Sequence, residues 1–189
     1  MHSHTEFSCC FVFCKFWTNS IDSYTISLYA DQEIATGYLE GSLTYGSSDN
    51  TTSRIVNSAG LSRIYGGTYD SNQLSLKVST GSPNEISDGT FITPFGSLSS
   101  TKISTSTYTE SSTTASDSLR LRVAQDDVTS VIGTIGIKAH KITDSGIPMI
   151  SFAINNEFGD NKISSTNNYL GGGAKFATST AIEELSSTL

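Results

Sequence analysis

Apolar and polar residues alternate with a period of two along most of the chain from Tyr24 onward. Successive side chains of a β-strand point to opposite faces, so this pattern predicts about eight strands, each with an apolar and a polar face. The predicted links are alternately short and long: 31–33, 48–70, 82–88, 103–127, 143–146, 159–168 and 178–179. Such links place tight turns on one side and long loops on the other, as in transmembrane β-barrels of the outer-membrane type. We therefore predict an all-β antiparallel meander, with mobile, protease-sensitive loops at 48–70 and 103–127.

The phase of the alternation assigns each strand residue to one of two surfaces. The apolar positions are expected to face lipid, because a transmembrane barrel carries its apolar band outside. These lipid-facing candidates are Ile26, Leu28, Leu39, Leu43, Leu74, Leu76, Val78, Val131, Ile135, Ile137, Ile150, Phe152 and Ile154. The opposite faces carry charges that a lumen can pair or hydrate, and the lumen-facing candidates are Glu40, Lys77, Lys138 and Glu157.

The composition supports a barrel more than a conventional core. Only 36% of the residues are hydrophobic, whereas Ser and Thr together number 57 (33 Ser and 24 Thr). A barrel needs little apolar interior, because lipid covers its apolar face. The net charge of -7 leaves no basic stripe to neutralise phosphates, so we expect no nucleic-acid partner.

The first 22 residues differ from the rest of the chain. Cys9, Cys10 and Cys14 all lie there, without the CxxC spacing of a metal site, and the body of the chain has none. The apolar stretch 7–17 is too short to span a membrane as a helix and lacks the features of a cleavable signal peptide. We expect residues 1–22 to be an atypical, non-native start, and residues 23–189 to form one β domain.

No motif predicts catalysis, a cofactor or a metal. His140 has no nucleophile motif nearby and is interpreted as a strand-end residue, and the glycines at 171–173 lack the strand-to-helix context of a phosphate loop. The pairs Asn155-Asn156 and Asn167-Asn168 lie in a predicted strand and a predicted loop. The chain is therefore not expected to be an enzyme.

Several ordered segments of the chain resemble the autotransporter β-barrel domain of type V secretion. They are 67–71 leading into 74–78, 92–102 with 108–110, 117–121, 131–137 and 156–160. The corresponding family text reads roughly "TPY-x-x-LSYT", "TE", "SL…G-x-LG" and "HEFG". The resemblance covers residues 23–189, and the Ser/Thr/Asn/Ile-rich texture is similar to the surface cell antigens of rickettsial-type bacteria.

The resemblance implies a twelve-stranded outer-membrane barrel that anchors and translocates an N-terminal passenger domain. Its implied partners are outer-membrane lipid, the barrel-insertion machinery and a passenger that is missing from this chain. Relative to that pattern we expect an incomplete fragment, which lacks the pore helix and the last strand and has about eight of the strands. The alternative is a Ser/Thr-rich, adhesin-like surface β domain whose long loops bind host or matrix molecules; unlike a barrel, it would stay in solution without detergent.

Overall fold

A computed structural model describes residues 20–58, 61–112, 117–182 and 185–188. Within these ranges the chain forms antiparallel strands and turns and contains no helix. The strands are β1 (Ser20–Ile34), β2 (Gly37–Ser58), β3 (Leu61–Gly81), β4 (Asn84–Ser87), β5 (Thr90–Thr105), β6 (Tyr108–Thr109), β7 (Ser111–Ser112), β8 (Leu121–Gln125), β9 (Val128–Lys141), β10 (Met149–Glu157), β11 (Lys162–Tyr169), β12 (Phe176–Ala181) and β13 (Leu185–Thr188).

These strands follow one another in a single antiparallel meander, in which several short strands continue longer ones. A nine-stranded sheet has the order β1-β2-β3-β5-β9-β10-β13, with β4 paired to β5 and β7 to β3, and a four-stranded sheet has the order β12-β11-β8-β6. Short strands extend long ones: β4 follows β3 along β5, and β6 and β7 continue β5. Likewise β8 leads into β9, β10 into β11, and β12 into β13. The predicted all-β antiparallel meander is confirmed, and the sheet does not close on itself within the described residues.

One end of the sheet, here called the tight-turn end, carries short connections. Residues 35–36 join β1 to β2, residues 88–89 join β4 to β5, and the predicted turn at 143–146 is confirmed by the paired Thr143 and Gly146. Gly89 and Gly146 have positive φ values of 66° and 145°, which favour glycine. The predicted turn at 31–33 is wrong, because Asp31 pairs with Glu40 inside the ladder. The carboxylates of Asp31 and Glu33 lie on the polar face of β1, and this acidic composition resembles that of a turn.

The opposite end, here called the long-hairpin end, consists of strand where loops were predicted. Strands β2 and β3 pair continuously from Tyr38 opposite Gly81 to Ser58 opposite Leu61, so the predicted loop at 48–70 is wrong. Much of 103–127 also lies in β5 to β8, residues 162–169 form β11 and residues 178–179 lie in β12. These segments are rich in polar residues on both faces, and isolated apolar residues such as Ile55 and Val56 lie on opposite faces, so no regular alternation is visible in the sequence. A strand needs only about 9–11 residues to cross a membrane, and β2 has 22.

Burial is concentrated on one face of the sheet. Five buried residues lie by register on the same face as Glu40: Ser27, Asn50, Tyr65, Thr93 and Ala153. Antiparallel partners project to the same side of a sheet, so the register identifies the face directly. We call this the polar face and the opposite one the apolar face.

Aromatic rings cover glycines of neighbouring strands at several places. A Cβ atom added at Gly136 would lie 2.5 Å from the Phe95 ring and 2.6 Å from the backbone oxygen of Phe152. Close approach of this kind needs glycine in a strand. Three further pairs have the same arrangement, with the ring named second: Gly67 and Tyr108, Gly81 and Tyr38, and Gly133 and Phe158.

Candidate membrane-facing surface and polar network

All thirteen lipid-facing candidates lie on the apolar face. Leu28 pairs with Leu43, which pairs with Leu76, and the same face continues through β5 to Ile135 and Ile154. Twelve of the thirteen are exposed, between 42% for Leu43 and Ile154 and 69% for Ile135, and Val131 is half-buried. A contiguous apolar surface of this kind indicates a partner that is itself apolar. That the partner is lipid stays a prediction, developed below.

The apolar band runs obliquely across the strands. In β2 it extends from Leu39 to Tyr45, and in β10 from Ile150 to Ile154. Phe152, at the centre of the band in β10, pairs with Ile137 of β9, which pairs with Pro94 of β5. The carbonyl of Pro94 accepts a hydrogen bond from the amide of Ser82, which follows β3 and is aligned with the start of β2. Between β10 and β2 the centre of the band therefore shifts along the strands by about five residues, or roughly 17 Å, over four strand spacings of about 4.8 Å each. That ratio corresponds to a tilt of roughly 40° between the strands and the normal of the band, within the range that transmembrane barrels show relative to the barrel axis.

The four lumen-facing candidates lie on the polar face, but they do not form one cluster. Glu40 and Lys77 line a groove of about 390 Å³ near the tight-turn end, where Glu40 accepts a hydrogen bond of 2.9 Å from Ser79. Lys138 lies farther across the sheet, between Thr93 and Ser151. Glu157 binds backbone instead: its Oε1 accepts bonds from the amides of Val131 and Gly159 at 2.6 and 2.7 Å. It stabilises the irregular link between β10 and β11.

At the long-hairpin end the polar face carries an ion pair between a buried Glu110 and a half-buried Arg54. Arg54 of β2 donates from Nε and Nη2 to the two carboxylate oxygens of Glu110, at 2.8 and 2.6 Å. Glu110 is 4% exposed, and its Oε2 also accepts the amide of Leu121 at 2.8 Å. Arg54 further donates to the Leu119 carbonyl at 2.9 Å and lies over the Tyr65 ring, 4.4 Å from its centre. One guanidinium thereby connects β2, β3 and the connection between β7 and β8.

A second carboxylate completes this network. The hydroxyl of Tyr65, a residue with no exposed surface, donates to Asp117 Oδ2 at 2.9 Å, and the Leu119 amide donates to Oδ1 at 3.0 Å. Arg63 lies 3.6 Å from the same carboxylate. The resulting set of Arg54, Tyr65, Glu110, Asp117 and the 117–120 turn is here called the inner cap.

The charges of the inner cap shift its pKa values. The amide of Leu119, with Tyr65 and Arg63, holds the pKa of Asp117 below its usual value against the effect of burial. Burial raises the pKa of Tyr65, and the hydrogen bond to Asp117 raises it further. The hydrogen bonds to Glu110 raise the pKa of Arg54. Arg54 lies nine residues beyond Tyr45, where the apolar band of β2 ends, so the cap lies outside the band.

This network is not predictable from the sequence patterns. Glu110 and Asp117 occur only as parts of the segments that resemble the family, and together with Arg54 and Tyr65 they fall in predicted loops. The signal present in the sequence was weak: a few charges within Ser/Thr-rich stretches. Their partners come from segments far apart in the chain, so spacing alone could not join them.

The contacts of the remaining candidate residues are structural. His140 stacks on Phe91 with ring centres 5.0 Å apart, and Asn155 joins Thr134 and Thr188. Gly172 and Gly173 form the turn before β12 with φ of 96° and 112°. Among residues 20–58, 61–112, 117–182 and 185–188 no acidic, histidine or cysteine cluster is suited to a metal ion. The same part of the chain contains no helix long and apolar enough to cross a membrane.

Comparison with known proteins identifies the family. Residues 18–188 match the family model of the autotransporter beta-domain. The chain belongs to this autotransporter β-domain family. The β-domains of this family are embedded in the outer membrane, as the translocators of type V secretion. The predicted resemblance and the predicted location are thereby confirmed.

A solved structure has the same fold. The chain is similar to the translocator domain of autotransporter NalP from Neisseria meningitidis, with a TM-score of 0.60 and 15% sequence identity. The match covers 89% of this β-domain and 65% of the NalP chain, so the β-domain spans just under two thirds of that structure. No curated protein sequence matches this chain.

Proposed function

We propose that this β-domain anchors a passenger in the outer membrane and takes part in moving it to the cell surface, as part of a surface antigen. Its apolar face would contact lipid, and its polar face would line the interior. The observation that carries this proposal is the oblique apolar band. A soluble sheet has no reason to keep its apolar residues in a band whose normal lies at roughly 40° to the strands, whereas a barrel with tilted strands must do so.

The partners follow from the same assignment. Backbone groups at the edges of a sheet must be paired inside a bilayer. The edge strands β1 and β13 would therefore pair with further strands of a closed barrel, which has twelve strands by the family pattern. Closure in the membrane would require the barrel-insertion machinery, and the polar interior would accept the passenger. The proposed role uses binding surfaces only and involves no catalysis and no cofactor. We place the start of the barrel domain at Ser20, where β1 begins, three residues before the boundary predicted at residue 23.

Site-directed spin labels can test the orientation of the sheet. Labels would be attached at Ile135→Cys and Lys138→Cys, in a background with Cys9, Cys10 and Cys14 replaced by serine, after refolding in detergent micelles. The two positions lie three residues apart on β9 and on opposite faces. We expect an apolar quencher such as oxygen to relax the label at 135 several-fold more than the label at 138, and a charged nickel complex to do the reverse.

The pair Phe152→Cys and Ser151→Cys on β10 provides a matched control, because Phe152 pairs with Ile137 and Ser151 pairs with Lys138. The label at 152 should follow the label at 135, and the label at 151 should follow the label at 138. Equal access of both reagents to all four positions would contradict the proposal and favour a soluble, adhesin-like domain.

A further inference from the structure

The inner cap covers a part of the polar face that an open passage would leave wet. Tyr65 lies on this face by register, opposite Arg54, yet it has no exposed surface. The Arg54 side chain covers its ring, and Asp117 covers its hydroxyl. Leu121 and Val123 of β8 are also less than 9% exposed. The polar face is therefore shielded from water around Tyr65 at the long-hairpin end, although it holds an open groove near the tight-turn end.

The cap depends on a long reach across the sheet. Strands β3 and β7 lie between β2 and the 117–120 turn, so a flat sheet would place β8 about 14 Å from β2. Arg54 nevertheless contacts the Leu119 carbonyl at 2.9 Å. The turn must therefore bend toward the polar face. Arg54, Glu110 and the Asp117–Tyr65 bond hold it on the side of β2 and β3, where only two residue pairs join β7 to β3. On the other side, the amides of Leu170 and Gly171 donate to the carbonyls of Arg120 and Ser118 at 2.9 and 3.0 Å.

We propose that the inner cap is a gate at the long-hairpin end of the polar face, latched by the Arg54–Glu110 pair. This inference rests on the proposed function in one respect, that the polar face lines a passage. A polypeptide moving along that face must displace the 117–120 turn, which requires the guanidinium to leave both Glu110 and Leu119. Loss of one partner leaves the other charge uncompensated in a buried site, so the closed state is strongly preferred until both separate.

Accessibility of a thiol at a half-buried position beside the cap measures opening of the gate. The probe is Thr52→Cys in the serine-substituted background; Thr52 pairs with Gly67 on the polar face and lies next to the Tyr108 ring. Ser53→Cys, on the adjacent residue and the exposed opposite face, is the matched control. Labelling with a charged maleimide would be timed for the full chain refolded in detergent micelles.

Glu110→Gln is expected to raise the labelling rate at position 52 by about tenfold or more, because it removes the charge that holds Arg54. The rate at position 53 should stay within about twofold. Lys102→Ala breaks the exposed Lys102–Asp127 pair, 3.1 Å apart, and should change neither rate. Arg54→Lys, which cannot make both contacts of the guanidinium, should give an intermediate rate, and it replaces Glu110→Gln if that variant loses its β-sheet circular dichroism.

Unchanged labelling at position 52 in both Glu110→Gln and Arg54→Lys would overturn the gate. Equal increases at positions 52 and 53 would also overturn it, because they would indicate general loosening of the hairpin. Thiol labelling does not depend on which face contacts lipid. A negative spin-label result with positive labelling would therefore reject the proposed function, and with it the passage, but would still support a cap latched by Arg54 and Glu110. The reverse result would reject the gate alone.

Discussion

The close contact at Gly136 gives the sharpest stability prediction. An alanine Cβ at this position would lie 2.5 and 2.8 Å from two atoms of the Phe95 ring and 2.6 Å from the backbone oxygen of Phe152. The ring can rotate away, but the oxygen belongs to the β9–β10 ladder and cannot move without disturbing it. Overpacking of this type costs about 1–3 kcal/mol, so Gly136→Ala should lower the free energy of unfolding by that amount.

Gly41→Ala is the matched control. A Cβ at Gly41 would meet only the Ala30 oxygen, at 4.0 Å, in a strand of the same sheet. Removing a strand glycine without a clash should be neutral or stabilising by about 0.5 kcal/mol. Urea unfolding in detergent micelles, followed by far-ultraviolet circular dichroism, would measure both. With a slope of about 2 kcal/mol per molar, Gly136→Ala should lower the midpoint by about 0.5–1.5 M.

Equal midpoints for the two variants would refute this reasoning. Rescue of Gly136→Ala by Phe95→Leu would show that the ring, and not the ladder oxygen, sets the cost. We expect at most partial rescue, because the 2.6 Å contact with the backbone remains in the double variant.

Two further predictions concern the band and the cap. Leu98 lies on the apolar face near the centre of the band, between Val78 and Gly133. Leu98→Lys should weaken partition into lipid vesicles by about 2–4 kcal/mol, whereas Ser97→Lys on the polar face should weaken it by less than about 1 kcal/mol. Equal losses of partition in a flotation assay would contradict the assignment of the two faces. For Asp117 the folded pKa is depressed below its ordinary value of 3.8, so its stabilising effect is present above that pH and is lost as the pH falls through the folded value. Asp117→Asn should therefore lower stability at neutral pH, and the difference from the unmodified chain should shrink below about pH 4 in acid unfolding experiments; a difference independent of pH would exclude a charge effect.

The sequence by itself determined the secondary-structure class and the phase of the strands near the membrane band. Alternation around Leu28, Leu43, Leu76 and Ile135 was strong, because one face of each segment is apolar and the other is polar. A period of two then assigns every neighbouring side chain to a face without knowledge of the partner strand. This is why all thirteen apolar candidates share one face of the sheet.

Strand ends and the inner cap were decided only by the tertiary structure. Beyond the band the two apolar residues of the segment from Asp49 to Ser58, Ile55 and Val56, lie on opposite faces, so no alternation distinguishes this part of the ladder from a loop. Pairing with the facing strand supplies its backbone hydrogen bonds. The contact of Arg54 with Glu110 joins residues 56 positions apart, across an intervening strand. Such a pair depends on register and on the inward bend of the 117–120 turn, which are properties of the assembled sheet and not of any one segment.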